Sequence, residues 1–185
     1  KIFYISGMNV FPNVYGVGGK TQTEAKMNVL NYVGNLNGII ANRPDVFMRI
    51  DSIKDMQEVM KNRKTGVMIG VQNADHFISP DDVNLFNDLG QRVSQLTYNS
   101  RNMIGNGATE RMDGGISDFG ESIIKRMNEV GMAIDVSHCG DQTTLDAFEI
   151  SKKPALIILL IIFSVYISAS SPELLLDESQ HWPDY

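Results

Sequence analysis

Apolar residues along this chain follow two rhythms that take turns: helical spacing of three and four, and short unbroken runs. From Thr21 the positions Ala25, Val29, Leu30, Val33 and Leu36 recur at helical spacing, and Pro44 closes the segment beyond Asn42. Asp51 or Ser52 is placed to cap a shorter helix through Met56, Val59 and Met60. Gly66–Val71 is a nearly continuous apolar run, suited to a strand covered on both faces. Ser79, Pro80, Asp81 and Asp82 then form a helix start: a hydroxyl for an orphan N–H, a proline where no N–H is needed, and acids at the positive dipole end. Gly90 ends that helix as a left-handed cap.

The grammar repeats. Val93–Thr97 reads as a strand, residues 98–116 as a polar, Gly-rich loop long enough to imply function, and Ser117–Gly131 as a helix with Ile123, Ile124 and Met127 inward. Met132–Val136 is a strand, Asp141–Ile150 a helix, and Ala155 begins a further strand after Pro154. Residues 1–20 read as a loop or frayed strand. From residue 52 the order is αβαβαβαβ, which predicts an α/β protein with a parallel sheet and crossover helices, either a barrel or an open doubly wound sheet. A closed eight-stranded barrel typically needs about 250 residues, so the 185 residues here predict an incomplete one.

Composition narrows the chemistry. The net charge is −6, with 16 Lys+Arg against 22 Asp+Glu and no basic stripe, which argues against a nucleic-acid partner. Cys139 is the single cysteine, so an internal disulfide and a multi-thiolate zinc cluster are both excluded, and no compartment is fixed. The chain starts at Lys1 without a signal-like segment and is expected to be a trimmed, processed or partial product. No Gly-rich phosphate loop or Gly-x-Ser-x-Gly elbow is present to support other α/β hydrolases.

Three successive strands release polar side chains at their carboxyl ends, where parallel α/β folds place active sites. Gln72, Asn73, Asp75 and His76 follow the first; Tyr98, Asn99, Arg101 and Asn102 the second; Ser137, His138, Cys139 and Asp141 the third. Such loops are polar in any case. Asp141 is read as an N-cap and His76 as a solvated loop histidine, while His138 stands between metal ligand and ordinary loop residue.

Residues 64–157 resemble the membrane (renal) dipeptidase family of zinc peptidases, which are (β/α)8 barrels. The resemblance lies in GVMIGVQNADHF (66–77), LGQRVSQLTYNSRN (89–102), GISDFGESIIKRMNEVGMAIDVSHCGD (115–141) and AFEISKKPALI (147–157), with residues 21–63 fitting the preceding helices. It implies a parallel (β/α)8 TIM-type barrel, incomplete in this chain, and hydrolysis of a dipeptide or similar small amide by a hydroxide held between two zinc ions. His138 falls on a family histidine ligand. Gln72 falls on the bridging glutamate, where a neutral amide is a poor link between two dications. Tyr98 falls on the histidine that steadies the oxyanion, and Asn99 beside it is the other candidate substrate contact. The family's His-x-Asp strand would lie before Lys1, and its second later histidine should follow Ile157, where the chain reads ILLIIFSVYIS. With His138 and Gln72 as the matched ligands and no catalytic residue assigned, zinc is expected to be reduced or absent here and the chain inactive alone. The alternative is a non-catalytic barrel-like relative acting through binding or self-association as a homo-oligomer.

Ala155–Ala169 has 13 apolar residues in 15. As a helix it spans about 22 Å, short of the roughly 30 Å hydrocarbon core. The organisation expected is therefore a partial dipeptidase-like barrel over 1–157, then an apolar and acidic tail over 158–185 outside the family pattern. A buried hairpin or helix is favoured for that apolar stretch over a membrane anchor, and His181 is read as a surface residue.

Overall fold

The computed structural model describes residues 18–157, so the expectations for residues 1–17 and 158–185, His181 among them, lie outside the described residues. Helix α1 (Gln22–Asn42) opens where expected, with the Thr21 hydroxyl accepting from Glu24 N–H, and buries Ala25, Val29 and Val33 along one stripe. Strand β1 (Phe47–Arg49) follows, then α2 (Ile53–Asn62), capped by the Ser52 hydroxyl accepting from Asp55 N–H. Strand β1 is absent from the sequence reading. Its three half-buried residues are too few to show a period, and parallel pairing with β2 (Thr65–Val67) is what makes it a strand.

The apolar run 66–71 is two strands rather than one. Val67 in β2 pairs with Arg49, whereas β3 (Ile69–Val71) pairs with β4 (Gln91–Gln95), with a register shift between Ile69 and Gly70. The run sits between two neighbours offset along its length. Its first half bonds to one and its second half to the other.

Helix α3 (Pro80–Asp88) starts as read, with a reciprocal capping box between Ser79 and Asp82, whose carboxylate accepts from the Ile78 and Ser79 N–H groups. Gly90 follows it at φ 100°. Strand β4 lies two residues earlier than the expected 93–97, because Gln91 already pairs with Ile69 and the chain turns away after Gln95. Helix α4 (Asp118–Val130) and its left-handed Gly131 end match the reading, as does α5 (Asp141–Ile150); β5 (Ala133–Asp135) is the shorter core of 132–136. The cap of α5 is Gly140, so Asp141 is the first helical residue rather than the N-cap.

The sheet order β3–β4–β5 is parallel throughout, and Leu156 adds a parallel bridge to Asp135 at the position expected for the next strand. Ile69, Val71, Leu96, Ile134 and Val136 face the helices and pack with Phe77, Phe86, Ile123, Ile124 and Met127. By strand alternation Gln72, Gln95 and Asp135 take the opposite face, with Gln95 and Asp135 partners in register. No complete barrel is formed by the described residues. No helix among them is long and apolar enough to cross a membrane.

Candidate active site

Because β3, β4 and β5 are parallel, their carboxyl ends release three loops on one side of the sheet. Each loop turns through a non-glycine residue in the left-handed region: Asn73 at φ 74°, Asn99 at φ 58° and His138 at φ 60°. Asparagine tolerates this conformation better than most residues, and such positions gather where a fold holds side chains for function.

The loops are tied to one another. Asn102 Nδ2 donates to Asn73 Oδ1 at 2.7 Å and to the Leu96 carbonyl at 2.7 Å, which joins the first loop to the second. His138 Nδ1 lies 2.9 Å from Asn99 Oδ1, and the His138 and Tyr98 rings meet at a centroid separation of 4.4 Å, joining the second to the third. Three of the sequence candidates, Tyr98, Asn99 and His138, are therefore in mutual contact and half-buried. Gln72, also half-buried, leaves β3 at the same end of the sheet. The Asn99 side chain is turned onto the histidine ring.

The long loop after β4 supplies the bracket. Its Gly107 bridges Cys139, Ala108 N–H donates to the His138 carbonyl at 2.9 Å, and Thr109 donates to the Asn99 carbonyl through both N–H (2.9 Å) and hydroxyl (2.7 Å). A Cβ on Gly107 would stand 2.1 Å from the Asn99 carbonyl, so only glycine lets the strands of loop approach this closely. Further along, the Asp113 carboxylate accepts from Gly115 N–H, Gln142 N–H, Thr143 N–H and the Thr143 hydroxyl, pinning the loop to the start of α5. Burial alone would raise the Asp113 carboxyl, but those hydrogen bonds outweigh it and hold the group below its ordinary value. A cavity of about 670 Å³ opens beside this loop, lined by Arg101, Asn102, Asn106, Met112, Ile116 and Phe119, without Tyr98 or His138 on its wall.

His76 departs from its reading as a solvated residue. It is fully buried, Nε2 lies 3.1 Å from Gln91 Oε1, and its ring contacts Phe77 and Phe86. Burial drives its pKa down to about 4. The apolar neighbours that bury it, Phe77 and Phe86, are visible in the sequence, but their meeting around His76 is tertiary. Asp75 is raised by burial against the opposing hydrogen bond from Asn73. Asp135 is buried, and its Oδ1 accepts from Ser137 N–H at 2.9 Å. Cys139 is buried against the Thr97 hydroxyl, and burial pushes its thiol up to about 11.

The donor set can be tested against a metal. No group of three His, Cys, Asp or Glu side chains among the described residues is close enough to hold a metal ion. His138 offers one imidazole and Gln72 one amide oxygen, which does not amount to the three or four ligands of a tight zinc centre. The described residues by themselves do not fit the two-ion group that the resemblance implies.

A parallel α/β scaffold with its polar loops gathered at the strand carboxyl ends has the layout in which such folds bind small ligands. The comparisons make this specific: the chain belongs to the membrane dipeptidase family, peptidase family M19, whose model matches residues 8–160. Among curated relatives, an uncharacterized dipeptidase of Schizosaccharomyces pombe is 30% identical over 120 residues, covering 63% of this chain and 27% of the relative. A dipeptidase of Aspergillus oryzae is 26% identical over 179 residues, covering 94% of this chain and 39% of the relative. Among solved structures, an amidohydrolase from Pseudomonas aeruginosa superposes with a TM-score of 0.69 at 33% identity, over 78% of this chain and 42% of that one. A metallopeptidase from Rhodobacter sphaeroides, liganded with a phosphinate mimic of the dipeptide L-Ala-D-Ala, shares the fold at a TM-score of 0.66 and 17% identity, over 78% of this chain and 41% of that one. The chain thus spans between about a quarter and two-fifths of the length of these curated relatives.

Proposed function

We propose that this chain contributes part of a (β/α)8 barrel to a metal-dependent dipeptidase, with the loops after β3, β4 and β5 on its substrate-facing side. The observation that carries the reading is the contact of Tyr98, Asn99 and His138 at the carboxyl ends of parallel strands, in a chain of the M19 family. The substrate is a dipeptide or similar small amide, as the names of the curated relatives support.

In this reading the Tyr98 phenol donates to the carbonyl oxygen of the scissile amide, a task that needs an O–H at a half-buried position. His138 presents an imidazole nitrogen to the same space, and Gln72 an amide oxygen. No hydrolytic step follows from these residues alone, because the zinc of the resemblance lacks a sufficient donor set among them. We further propose that the 185 residues by themselves hold zinc weakly and do not turn over dipeptide.

Two measurements test this. Metal analysis by inductively coupled plasma after dialysis, paired with a dipeptide-hydrolysis assay before and after added zinc, should find well under one equivalent of metal and no turnover. One equivalent of tightly held zinc with His138-dependent turnover would overturn the inactivity. Titrating a free dipeptide into the labelled chain should move the Tyr98 and His138 ring resonances; rings that stay still at millimolar dipeptide would remove the substrate-facing role.

A further inference from the structure

We infer that Asn99 is a positioning residue for His138, fixing the imidazole as the Nδ1–H tautomer and leaving the Nε2 lone pair free toward the site. The role given to Nε2 rests on the dipeptidase reading, whereas the tautomer itself rests on geometry alone.

Neutral imidazole carries one proton, and the hydrogen bond made by one ring nitrogen decides which nitrogen keeps it. Asn99 Oδ1 is an acceptor with no proton to give, and it stands 2.9 Å from His138 Nδ1. Nδ1 must therefore be the donor for the contact to be a hydrogen bond. Nε2 is left as a lone pair, able to accept a hydrogen bond or a proton.

The pair is held from both sides. Asn99 and His138 both sit in the left-handed region, at φ 58° and 60°. The next-door residues Ala108 and Thr109 grip the two carbonyls, Ala108 N–H that of His138 and Thr109 N–H and hydroxyl that of Asn99. Gly107 packs on the Asn99 backbone with no room for a side chain. Tyr98 lies against the imidazole ring, restricting its rotation about χ2. Because neither backbone can slide, the amide and the ring stay in register without a bound ligand.

The sequence places these residues 39 apart, and one asparagine in a polar loop gives no sign of an imidazole partner. A substrate contact and an orienting contact make different demands. A residue on substrate needs an open side chain; a residue that sets a tautomer needs the short, locked geometry observed here.

The experiment reads the tautomer directly, with neither metal nor substrate present. Long-range proton–nitrogen correlation spectra of the uniformly nitrogen-15-labelled chain, in mildly alkaline buffer where imidazole is neutral, distinguish the protonated ring nitrogen from the unprotonated one. The chain has only 3 histidines, so His138→Gln assigns the His138 signals by their loss. The wild-type chain should show Nδ1 protonated and Nε2 unprotonated for nearly all of the population. Asn99→Gly, which keeps the left-handed backbone free of strain, should drop the Nδ1–H fraction below half, toward the Nε2–H form that free histidine favours in water. Asn99→Asp keeps an acceptor and tolerates the same φ, so it should restore the wild-type pattern. An Nε2–H tautomer in the wild-type chain would overturn the assignment, whether or not any variant folds. So would an unchanged spectrum in a folded Asn99→Gly chain. Failure of the dipeptide titration above with the Nδ1–H tautomer intact would instead remove the substrate reading and leave the Asn99–His138 pair standing.

Discussion

Lowering the pH from 7 to about 4.5 should destabilise the fold through one residue, His76. Its side chain is fully buried, Nε2 is engaged by Gln91 Oε1, and Nδ1 has no hydrogen-bond partner. A proton added at Nδ1 would be a cation among Phe77 and Phe86. Burial, opposed by Gln91, the nearby Asn73 backbone and the charge of Asp82, leaves the folded-state pKa at about 4 against 6.5 for the free side chain. The folded value is depressed, so the unfolded chain binds the proton first, and stability falls as pH drops from 6.5 toward 4. At about 1.4 kcal/mol per unit, the full shift is worth about 3 kcal/mol, most of it lost by pH about 4.5. That is a sizeable share of a typical domain's stability of roughly 5–15 kcal/mol. Urea unfolding at half-unit pH steps from about 7.5 to 4.5 gives the slope, which should approach one proton's worth near pH 5.5. The comparison is His76→Phe, which fills the space without a titrating nitrogen. Its absolute stability changes because Gln91 Oε1 loses its partner, but the slope in this window should largely vanish. An equal slope in the variant would place the acid sensitivity elsewhere and refute the reasoning.

Two further perturbations test the loop bracket and the lone thiol. Asp113→Ala removes the acceptor of the Gln142 and Thr143 N–H groups and the Thr143 hydroxyl at the start of α5, and of the Gly115 N–H in the loop, and should cost about 1–2 kcal/mol in urea unfolding, as a lost helix cap does. Since the Asp113 pKa is lowered from 3.8, its contribution is present above that pH and disappears as the carboxyl protonates below it. Cys139, buried with its thiol pushed up to about 11, should resist a thiol-reactive disulfide reagent at pH about 8 in the native chain and react stoichiometrically in denaturant. Rapid native reaction would show that the Thr97 side of the loop opens.

The helices were legible because their signals are local. Thr21, Ser52 and Ser117 accept the cap hydrogen bonds their positions promise, and Gly90 and Gly131 take the left-handed turns that end a helix. The parallel order was legible too, since strands alternating with helices leave few other arrangements. The division of 66–71 between two neighbours was not, because an apolar run carries no record of which strand it pairs with at each residue. Strand β1 escaped for the same reason, being a strand only by virtue of β2.

For the site, the sequence by itself determined which side chains arrive at the strand carboxyl ends, Gln72, Tyr98, Asn99 and His138 among them, and the motif order that marks the M19 family. Only the tertiary structure decided what those side chains do to one another. It turned Asn99 onto His138, buried His76 rather than leaving it in water, and made the Asp113 carboxylate the acceptor for the first N–H groups of a helix that begins 28 residues later at Asp141. The physical reason is range. Caps, turns and periodicity act within a few residues and can be read along the chain, whereas burial and hydrogen-bond partners depend on which distant backbones the sheet brings together.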